Sequence, residues 1–212
     1  MPRALIFANG SLPDPEAARA LIRPDDLIIA ADGGTRHVLA LGHTPAVIIG
    51  DLDSLPEAGR HEVEAARARI IQYSRDKNET DLELAIGYAL ESRPDTILVL
   101  GALGDRLDQT LGNLSLLSDP ALAGFDVRLD DGVEEAFFCR SHAEIRGRSG
   151  HIVSLIPWGS RVEGVRTEGL QWPLRNETLY PQKTRGISNE LLGEVARVDI
   201  SSGLLFIVHR RK

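Results

Sequence analysis

Four short apolar runs in the first half of the chain each end at a loop that contains glycine. The runs and their loops are Ala4–Ala8 before Asn9-Gly10, Leu27–Ala31 before Asp32-Gly33-Gly34, Ala46–Ile49 before Gly50-Asp51, and Thr96–Leu100 before Gly101–Gly104. Helical patterns separate them, and repeated β-α units of this kind predict a mostly parallel sheet with helices packed on it. The carboxyl ends of parallel strands share one edge of the sheet, where open α/β sheets bind their ligands.

The segments between these runs carry helix signals. Helices are predicted over Glu16–Ile22, Thr35–Leu41 and Glu57–Arg69, and two further helices are predicted to begin at Thr80 and Asp108. A short strand is predicted at Ile70–Tyr73. Thr80-Asp81-Leu82-Glu83 has the form of a capping box, with a hydroxyl at the helix start and Glu three residues later.

The pattern changes near residue 130, where Asp130-Asp131-Gly132 is a turn signal. Short apolar or alternating runs follow, punctuated by Gly and Pro, and they indicate a β-sandwich or a barrel. Ser201-Ser202-Gly203 predicts a hairpin between the last two of these runs. We therefore predict an α/β domain over residues 1–130 and an all-β domain over residues 131–212.

Composition narrows the classes of function. The formal net charge of the 212 residues is -7, which argues against a nucleic-acid-binding surface. Cys139 is the single cysteine, so no internal disulfide is expected, and the six scattered histidines make a zinc site unexpected. The sequence shows neither the pattern of a signal peptide nor a stretch of membrane-spanning length, so a cytoplasmic location is expected.

Carboxylates stand at the predicted strand ends. Asp51 and Asp53 directly follow the third apolar run, and in an extended loop their spacing points both side chains the same way. Two oxygen ligands suit magnesium. Together with the glycine loops they indicate a magnesium nucleotide site, although the chain has neither a G-x-x-x-x-G-K-[ST] P-loop nor a G-x-G-x-x-G fingerprint.

Each of these residues also has a simpler interpretation. Asp and Gly are ordinary turn residues, and acids such as Asp81 or Asp108 are stabilised in the first turn of a helix without any function. Arg106 pairs with Asp108 or binds a phosphate in bidentate fashion. Lys77 alone is typical of a solvated loop, and Trp172 alone is typical of a β-domain core.

Seven short motifs follow one another in a fixed order along nearly the whole chain. They are Ala31-Asp32-Gly33-Gly34, Ile49-Gly50-Asp51-Leu52-Asp53-Ser54, Asp76-Lys77-Asn78-Glu79-Thr80-Asp81, Gly101–Gln109, Ser154-Leu155-Ile156-Pro157, Gly169-Leu170-Gln171-Trp172-Pro173-Leu174 and Ser188-Asn189-Glu190. Each motif alone is weak, but their order across two domains resembles the thiamine pyrophosphokinase family.

The resemblance implies an α/β domain that binds nucleotide and metal, then a β-sandwich domain that binds thiamine and forms a homodimer with the thiamine site at the subunit interface. The family transfers the pyrophosphoryl group of ATP to the thiamine hydroxyl, giving thiamine diphosphate and AMP. By the resemblance, the Mg²⁺ ligands are Asp51, Asp53 and Asp81, and the catalytic arginine is Arg106. The residues in contact with nucleotide or phosphate are Asp32, Gly33, Lys77, Thr80, Asp108 and Gln109. The residues in contact with thiamine are Trp172, Ser188 and Asn189.

Two residues depart from the family pattern. Asp105 stands where the family often has glycine, and Trp158 stands where a smaller apolar residue is usual. If the loop needs a positive φ at position 105, aspartate tolerates it better than most residues do. Trp158 either packs in the β domain or alters the ligand pocket.

Two other functions compete with this interpretation. The acids alone would also suit a magnesium-dependent nucleotide or phosphate-ester hydrolase, and the fold alone would suit a non-catalytic sensor of thiamine or nucleotide. An acceptor pocket around Trp172 and Ser188-Asn189 disfavours simple hydrolysis, and intact acidic motifs disfavour a sensor that has lost catalysis.

Overall fold

The computed structural model describes residues 3–51 and 68–211. The chain divides into two compact units, Met1–Gly132 and Val133–Lys212. The predicted helix over Glu57–Arg69 lies outside the described residues except at its end, where Arg69 opens a strand instead. Within the described part of the chain, no helix has the length and apolar character needed to cross a membrane.

A parallel sheet forms the centre of the N-terminal unit. Its strands are β1 (Arg3–Phe7), β2 (Leu27–Ala31), β3 (Val47–Gly50), β4 (Arg69–Gln72), β5 (Thr96–Leu100) and β6 (Asp126–Asp130). In the order β6-β5-β1-β2-β3-β4 every neighbouring pair is parallel, which confirms the predicted sheet. The direction of winding reverses between β1 and β5, so the topological switch point lies at the carboxyl ends of these two strands.

In residues 3–51 and 68–132, four α-helices accompany this sheet: α1 (Pro15–Ala20), α2 (Thr35–Ala40), α3 (Asp81–Glu91) and α4 (Leu107–Leu117). The five residues of β1 are all buried, as expected for a parallel strand covered on both faces. Phe7 of β1 and Val38 of α2 are fully buried in the same core, and burial of such a side chain is worth about 1.5–3 kcal/mol.

The start of α3 follows the sequence prediction. The Glu83 N–H donates to Thr80 Oγ1 at 3.2 Å, so Thr80 caps the helix. A cap of this kind is worth about 1 kcal/mol. Helix α4 differs from a simple amphipathic helix because Leu107 and Leu111 are exposed, whereas Leu114 and Leu117 are buried.

The C-terminal unit is built from strands. They are β7 (Glu134–Cys139), β8 (His142–Arg146), β9 (Ile152–Pro157), β10 (Val162–Glu168), β11 (Arg175–Leu179), β12 (Asn189–Glu190), β13 (Val195–Asp199) and β14 (Leu205–Arg210). One antiparallel sheet has the order β12-β9-β14-β7 and the other has the order β11-β10-β13-β8. Side chains from both sheets, among them Phe137, Leu155 and Val198, share one core, so the unit is the predicted sandwich.

The predicted hairpin at Ser201-Ser202-Gly203 is wrong. Strand β13 pairs with β8 and β10, whereas β14 pairs with β7 and β9 in the other sheet. The connection is held by β10, because the Ser201 N–H donates to Glu163 O at 2.9 Å and the Glu163 N–H donates to Ser202 O at 3.0 Å. The short turn therefore crosses between the sheets.

Candidate functional site

A cleft of about 470 Å³ lies at the carboxyl edge of the parallel sheet. Ala8–Gly10, which follow β1, line it together with Gly101, Ala102 and Gly104, which follow β5. The Gly10 N–H donates to Gly101 O at 2.7 Å, so the two loops are joined by the backbone. The cleft therefore occupies the switch point between β1 and β5, where open α/β sheets bind ligands.

Most of the predicted nucleotide and metal residues come together in this cleft. Those that line it are Asp32, Asp51, Lys77, Thr80, Asp81, Arg106 and Gln109. Asp53 lies outside the described residues. Gly33 and Asp108 do not line the cleft, although both adjoin residues that do. Gly33 is buried against Asn9, since a Cβ there would lie 2.4 Å from Asn9 Cγ.

Lys77 lies among the carboxylates of the cleft. Its Nζ is 2.8 Å from Asp81 Oδ1, and both side chains are largely buried. The pKa of Lys77 is raised, chiefly by this close contact with Asp81 and further by the charges of Asp51 and Asp32. The sequence alone favoured a solvated lysine, whereas the structure makes it the counter-charge of three acids.

Gly50 allows two of these acids to approach each other. A Cβ at this position would lie 2.7 Å from Asp32 Cβ and 3.2 Å from Asp81 Oδ1. Real Cβ atoms do not reach the shorter distance, so a larger residue would move Asp32. The glycine that ends β3 is therefore required by the packing of the acidic side chains.

The acidic side of the cleft has a buried carboxylate oxygen. It is Asp81 Oδ1, and Lys77 Nζ lies 2.8 Å from it. A buried carboxylate oxygen of this kind suits a hard divalent cation. Within residues 3–51 and 68–211, no three His, Cys, Asp or Glu side chains form a ready metal cluster.

Arg106 and Asp108 form an ion pair at the N-terminus of α4. Arg106 Nε donates to Asp108 Oδ1 at 3.1 Å and Nη2 donates to Oδ2, and both side chains are about two thirds exposed. The bonds from Arg106 lower the pKa of Asp108, with a smaller contribution from the Gln109 N–H. Because an exposed ion pair is weak, a phosphate can compete with Asp108 for Arg106.

Asp105 adopts the backbone conformation that its position demands. Its φ is 59°, in the left-handed region, and it lies between Gly104 and Arg106 on the wall of the cleft. Asparagine and aspartate enter this region more readily than most residues other than glycine. The departure from the family pattern is therefore compatible with the same loop.

We expect Asp105→Gly to keep this loop and Asp105→Val to distort it. Glycine adopts the left-handed conformation freely, so the free energy of unfolding should change by less than about 1 kcal/mol. A β-branched residue is strained there by roughly 1–3 kcal/mol. Thermal unfolding of both variants checks this expectation. An equal loss of stability in both variants would mean that the loop depends on the Asp105 carboxylate rather than on the backbone conformation.

Two polar residues of the cleft, Arg75 and Asn113, were not singled out in the sequence, and Glu79 appeared there only as part of a motif. Asn113 Nδ2 donates to Ala102 O at 2.8 Å and so ties α4 to the loop after β5. Its spacing of four residues from Gln109 places both on one helix face, which is the signal that would have found it. Arg75 stands directly before the Asp76–Asp81 motif and adds a second cation to Lys77.

A second pocket, of about 540 Å³, lies in the C-terminal unit. It is lined by Trp172, Leu174, Lys183, Thr184, Arg185, Gly186, Ile187 and Asn189. The side chain of Trp172 is 54% exposed, so it does not belong to the sandwich core, and Ile187 beside it is 45% exposed. An exposed indole on the wall of a pocket is available to stack on a flat ligand.

Asn189 holds the Trp172 backbone. The Trp172 N–H donates to Asn189 Oδ1 at 3.0 Å, and Asn189 Nδ2 donates to Trp172 O at 2.7 Å. Asn189 is only 5% exposed, so its amide positions the tryptophan. Ser188 is exposed with a φ of 57° and does not line the pocket. A left-handed serine is a strained conformation of the kind found at functional sites.

Trp158 packs against two aromatic rings. Its ring centroid is 5.4 Å from that of Phe138, in a T-shaped arrangement, and 5.9 Å from that of Phe206. It lines neither pocket among the described residues. The packing role considered for this residue is therefore the one that the geometry favours.

Comparison with known proteins identifies the family. The family model described as "Thiamin pyrophosphokinase, catalytic domain" matches residues 18–129, and the model of the "vitamin B1 binding domain" matches residues 142–205. The chain belongs to the thiamine pyrophosphokinase family. The thiamine pyrophosphokinase of Bacillus subtilis (strain 168) is 32% identical over 184 residues, which cover 86% of each chain.

Other members of the family agree with this assignment. Thiamine pyrophosphokinase 1 of Oryza sativa subsp. japonica is 29% identical over 210 residues, covering 87% of this chain and 79% of its own. The crystal structure of the Bacillus subtilis thiamine pyrophosphokinase covers the whole of both chains with a TM-score of 0.89 and 27% identity. The thiamine pyrophosphokinases are enzymes, and their fold matches the parallel sheet and sandwich described above.

Proposed function

We propose that this protein transfers the pyrophosphoryl group of ATP to the hydroxyl of thiamine, giving thiamine diphosphate and AMP. The observation that carries the proposal is the cleft at the switch point, where cations and carboxylates meet, in a chain that also has a separate pocket with an exposed tryptophan. A kinase needs both a nucleotide site and an acceptor site. Membership of the thiamine pyrophosphokinase family supports the same reaction for this chain.

In this proposal ATP binds in the cleft of the N-terminal unit. The Asn9-Gly10 and Gly101–Gly104 loops approach the nucleotide, because glycine lets the backbone come close to phosphates. Lys77 and Arg106 are positioned to contact phosphate oxygens, and Arg75 lines the same cleft. The nucleotide region also includes Asp32, Thr80 and Gln109, which line the cleft, and Gly33 and Asp108, which adjoin it.

The proposed metal is Mg²⁺, held by Asp51, Asp53 and Asp81. The family is consistent with a divalent cation, and the buried Asp81 Oδ1 beside Asp51 in the cleft supports a hard metal at this place. When bound, Mg²⁺ supplies charge neutralisation of the phosphate oxygens. Asp51 and Asp81 lie in the described cleft, and the contribution of Asp53 remains a prediction from its motif.

The transfer itself is a displacement at the β-phosphorus. The thiamine hydroxyl oxygen forms a bond to that phosphorus, the bond to the oxygen bridging the α- and β-phosphates breaks, and AMP leaves with that oxygen. The hydroxyl proton passes to a carboxylate of the cleft. Arg106, released from Asp108, stabilises the charge that develops on the transferred group.

Thiamine is proposed to bind at the pocket of the C-terminal unit. Trp172 offers an aromatic face to the cationic thiazolium, and Asn189 holds Trp172 in place. Ser188 is proposed to lie near thiamine from the same segment. A homodimer with thiamine at the subunit interface is part of the proposal, and the cytoplasmic location stays a prediction from the sequence.

The deciding experiment is the measurement of AMP from Mg²⁺-ATP with and without thiamine. We expect AMP and thiamine diphosphate to form in equal amounts, and only when thiamine is present. Turnover that is independent of thiamine would instead identify a nucleotide or phosphate-ester hydrolase. Tight thiamine binding without any thiamine diphosphate would identify a sensor on the same fold.

A further inference from the structure

We infer that His37 of α2 is a positioning residue for the nucleotide, holding the Asn9–Ser11 loop in the shape that the cleft requires. The inference rests on the proposed binding of ATP in that cleft. His37 does not itself line the cleft. It acts through the loop that does, which is why it stands apart from the motifs identified in the sequence.

The contact that holds the loop comes from the imidazole. His37 Nε2 lies 2.8 Å from Gly10 O, a residue 27 positions earlier in the chain. Because a carbonyl oxygen can only accept a hydrogen bond, Nε2 must be the donor. The neutral ring therefore carries its proton on Nε2. Burial lowers the pKa of His37, against the effect of the Gly10 hydrogen bond, and the charge of Arg36 lowers it further.

Arg36 makes a parallel contact with the residue before. Its Nη2 donates to Asn9 O at 3.0 Å, so adjacent side chains of α2 hold adjacent carbonyls of the loop. Arg36 is exposed, whereas His37 is half-buried. We therefore expect the arginine contact to contribute less than the histidine contact.

The opposite side of the same loop is joined to the loop after β5. The amides of Gly10 and Ser11 donate to Gly101 O and Leu103 O at 2.7 and 3.3 Å. With its carbonyls held by α2 and its amides held by the second loop, the Asn9–Ser11 loop is fixed from both sides. His37 also approaches Gly101, since a Cβ there would lie 3.5 Å from His37 Cδ2.

The consequence for ATP binding follows from this arrangement. Without the His37 side chain, the loop loses a partly buried hydrogen bond to α2 but keeps every residue that faces the cleft. Ordering the loop must then be achieved by the nucleotide, which weakens its binding. The acceptor pocket lies in the other unit and does not contain His37.

The test compares His37→Leu, His37→Gln and Val38→Ala with the unchanged protein. We expect His37→Leu to raise the KM for ATP about tenfold, as for the loss of one partly buried hydrogen bond, with kcat and the KM for thiamine changed less than about threefold. His37→Gln carries an amide donor at the end of its side chain and should restore most of the affinity. Val38→Ala removes packing from the same helix, so it should lower the unfolding temperature without changing the KM for ATP.

Amide hydrogen exchange of the nucleotide-free protein tests the loop directly. Faster exchange at Gly10 and Ser11 in His37→Leu, but not in His37→Gln, supports the inference. Unchanged exchange and KM in His37→Leu, or an equal rise in KM in Val38→Ala, overturns it. If the unchanged protein forms no thiamine diphosphate, the proposed function fails, whereas an active protein indifferent to His37→Leu contradicts only the positioning role.

Discussion

Replacing Asp81 by asparagine is expected to reduce thiamine-dependent AMP formation by roughly a hundredfold or more, as for the loss of a major electrostatic group from a phosphoryl-transfer site. The change removes the charge of a partly buried carboxylate whose Oδ1 lies 2.8 Å from Lys77 Nζ, while it keeps the shape of the side chain. It also leaves Lys77 without its nearest counter-charge. Activity is measured as AMP release at increasing Mg²⁺ concentrations.

Glu83→Gln is the matched control for this variant. Glu83 also lies in the first turn of α3 and loses a negative charge, but its side chain is exposed and lies outside the cleft. We expect it to keep normal activity, and circular dichroism should show that both variants are folded. Near-normal turnover in Asp81→Asn would remove Asp81 from the proposed metal site.

Replacing Trp172 by alanine is expected to raise the KM for thiamine by about 10- to 100-fold. Stacking and cation–π attraction together are worth roughly 1.4–2.8 kcal/mol, which corresponds to that range. Because 54% of the side chain is exposed, the unfolding temperature should change little. The KM for ATP should also stay the same, since Trp172 lies in the other pocket.

Trp158→Ala provides the comparison, because Trp158 is the other tryptophan of the chain. It packs on Phe138 and Phe206 and lines neither pocket, so its loss should lower the unfolding temperature without a selective effect on thiamine. Steady-state kinetics and thermal unfolding of both variants separate the two roles. The same rise in the KM for thiamine in both variants would contradict the assignment of Trp172.

Strands β1, β2, β3 and β5 of the parallel sheet were predictable because they are continuous apolar runs, which are typical of strands buried on both faces. Strands β6 and β8 were missed for the opposite reason. Val127 and Leu129 in β6, and Ala143 and Ile145 in β8, alternate with polar or charged residues, so apolar side chains occupy only every second position. Such short alternations look like loops until a partner strand supplies their hydrogen bonds.

The candidate site was predictable where one motif supplied several polar side chains at a strand end. Asp51, Asp81 and Arg106 were found in this way, and the structure brings them to one cleft. The spacing of Asn113 from Gln109 indicates its helix face, but its hydrogen bond to Ala102 O, eleven residues earlier in the chain, was not predictable from the sequence. Likewise, only the three-dimensional arrangement shows that Trp172 is exposed rather than buried.

The crossing between β13 and β14 has a consequence for the order of folding. Strand β14 lies between β7 and β9, so Val208 is paired with Ala136 on one side and with Ser154 on the other. These partners leave the ribosome long before β14 does, and one sheet of the sandwich lacks its middle strand until then. Distant pairing of this kind slows folding. The nascent C-terminal unit must therefore wait for β14 before its core can close.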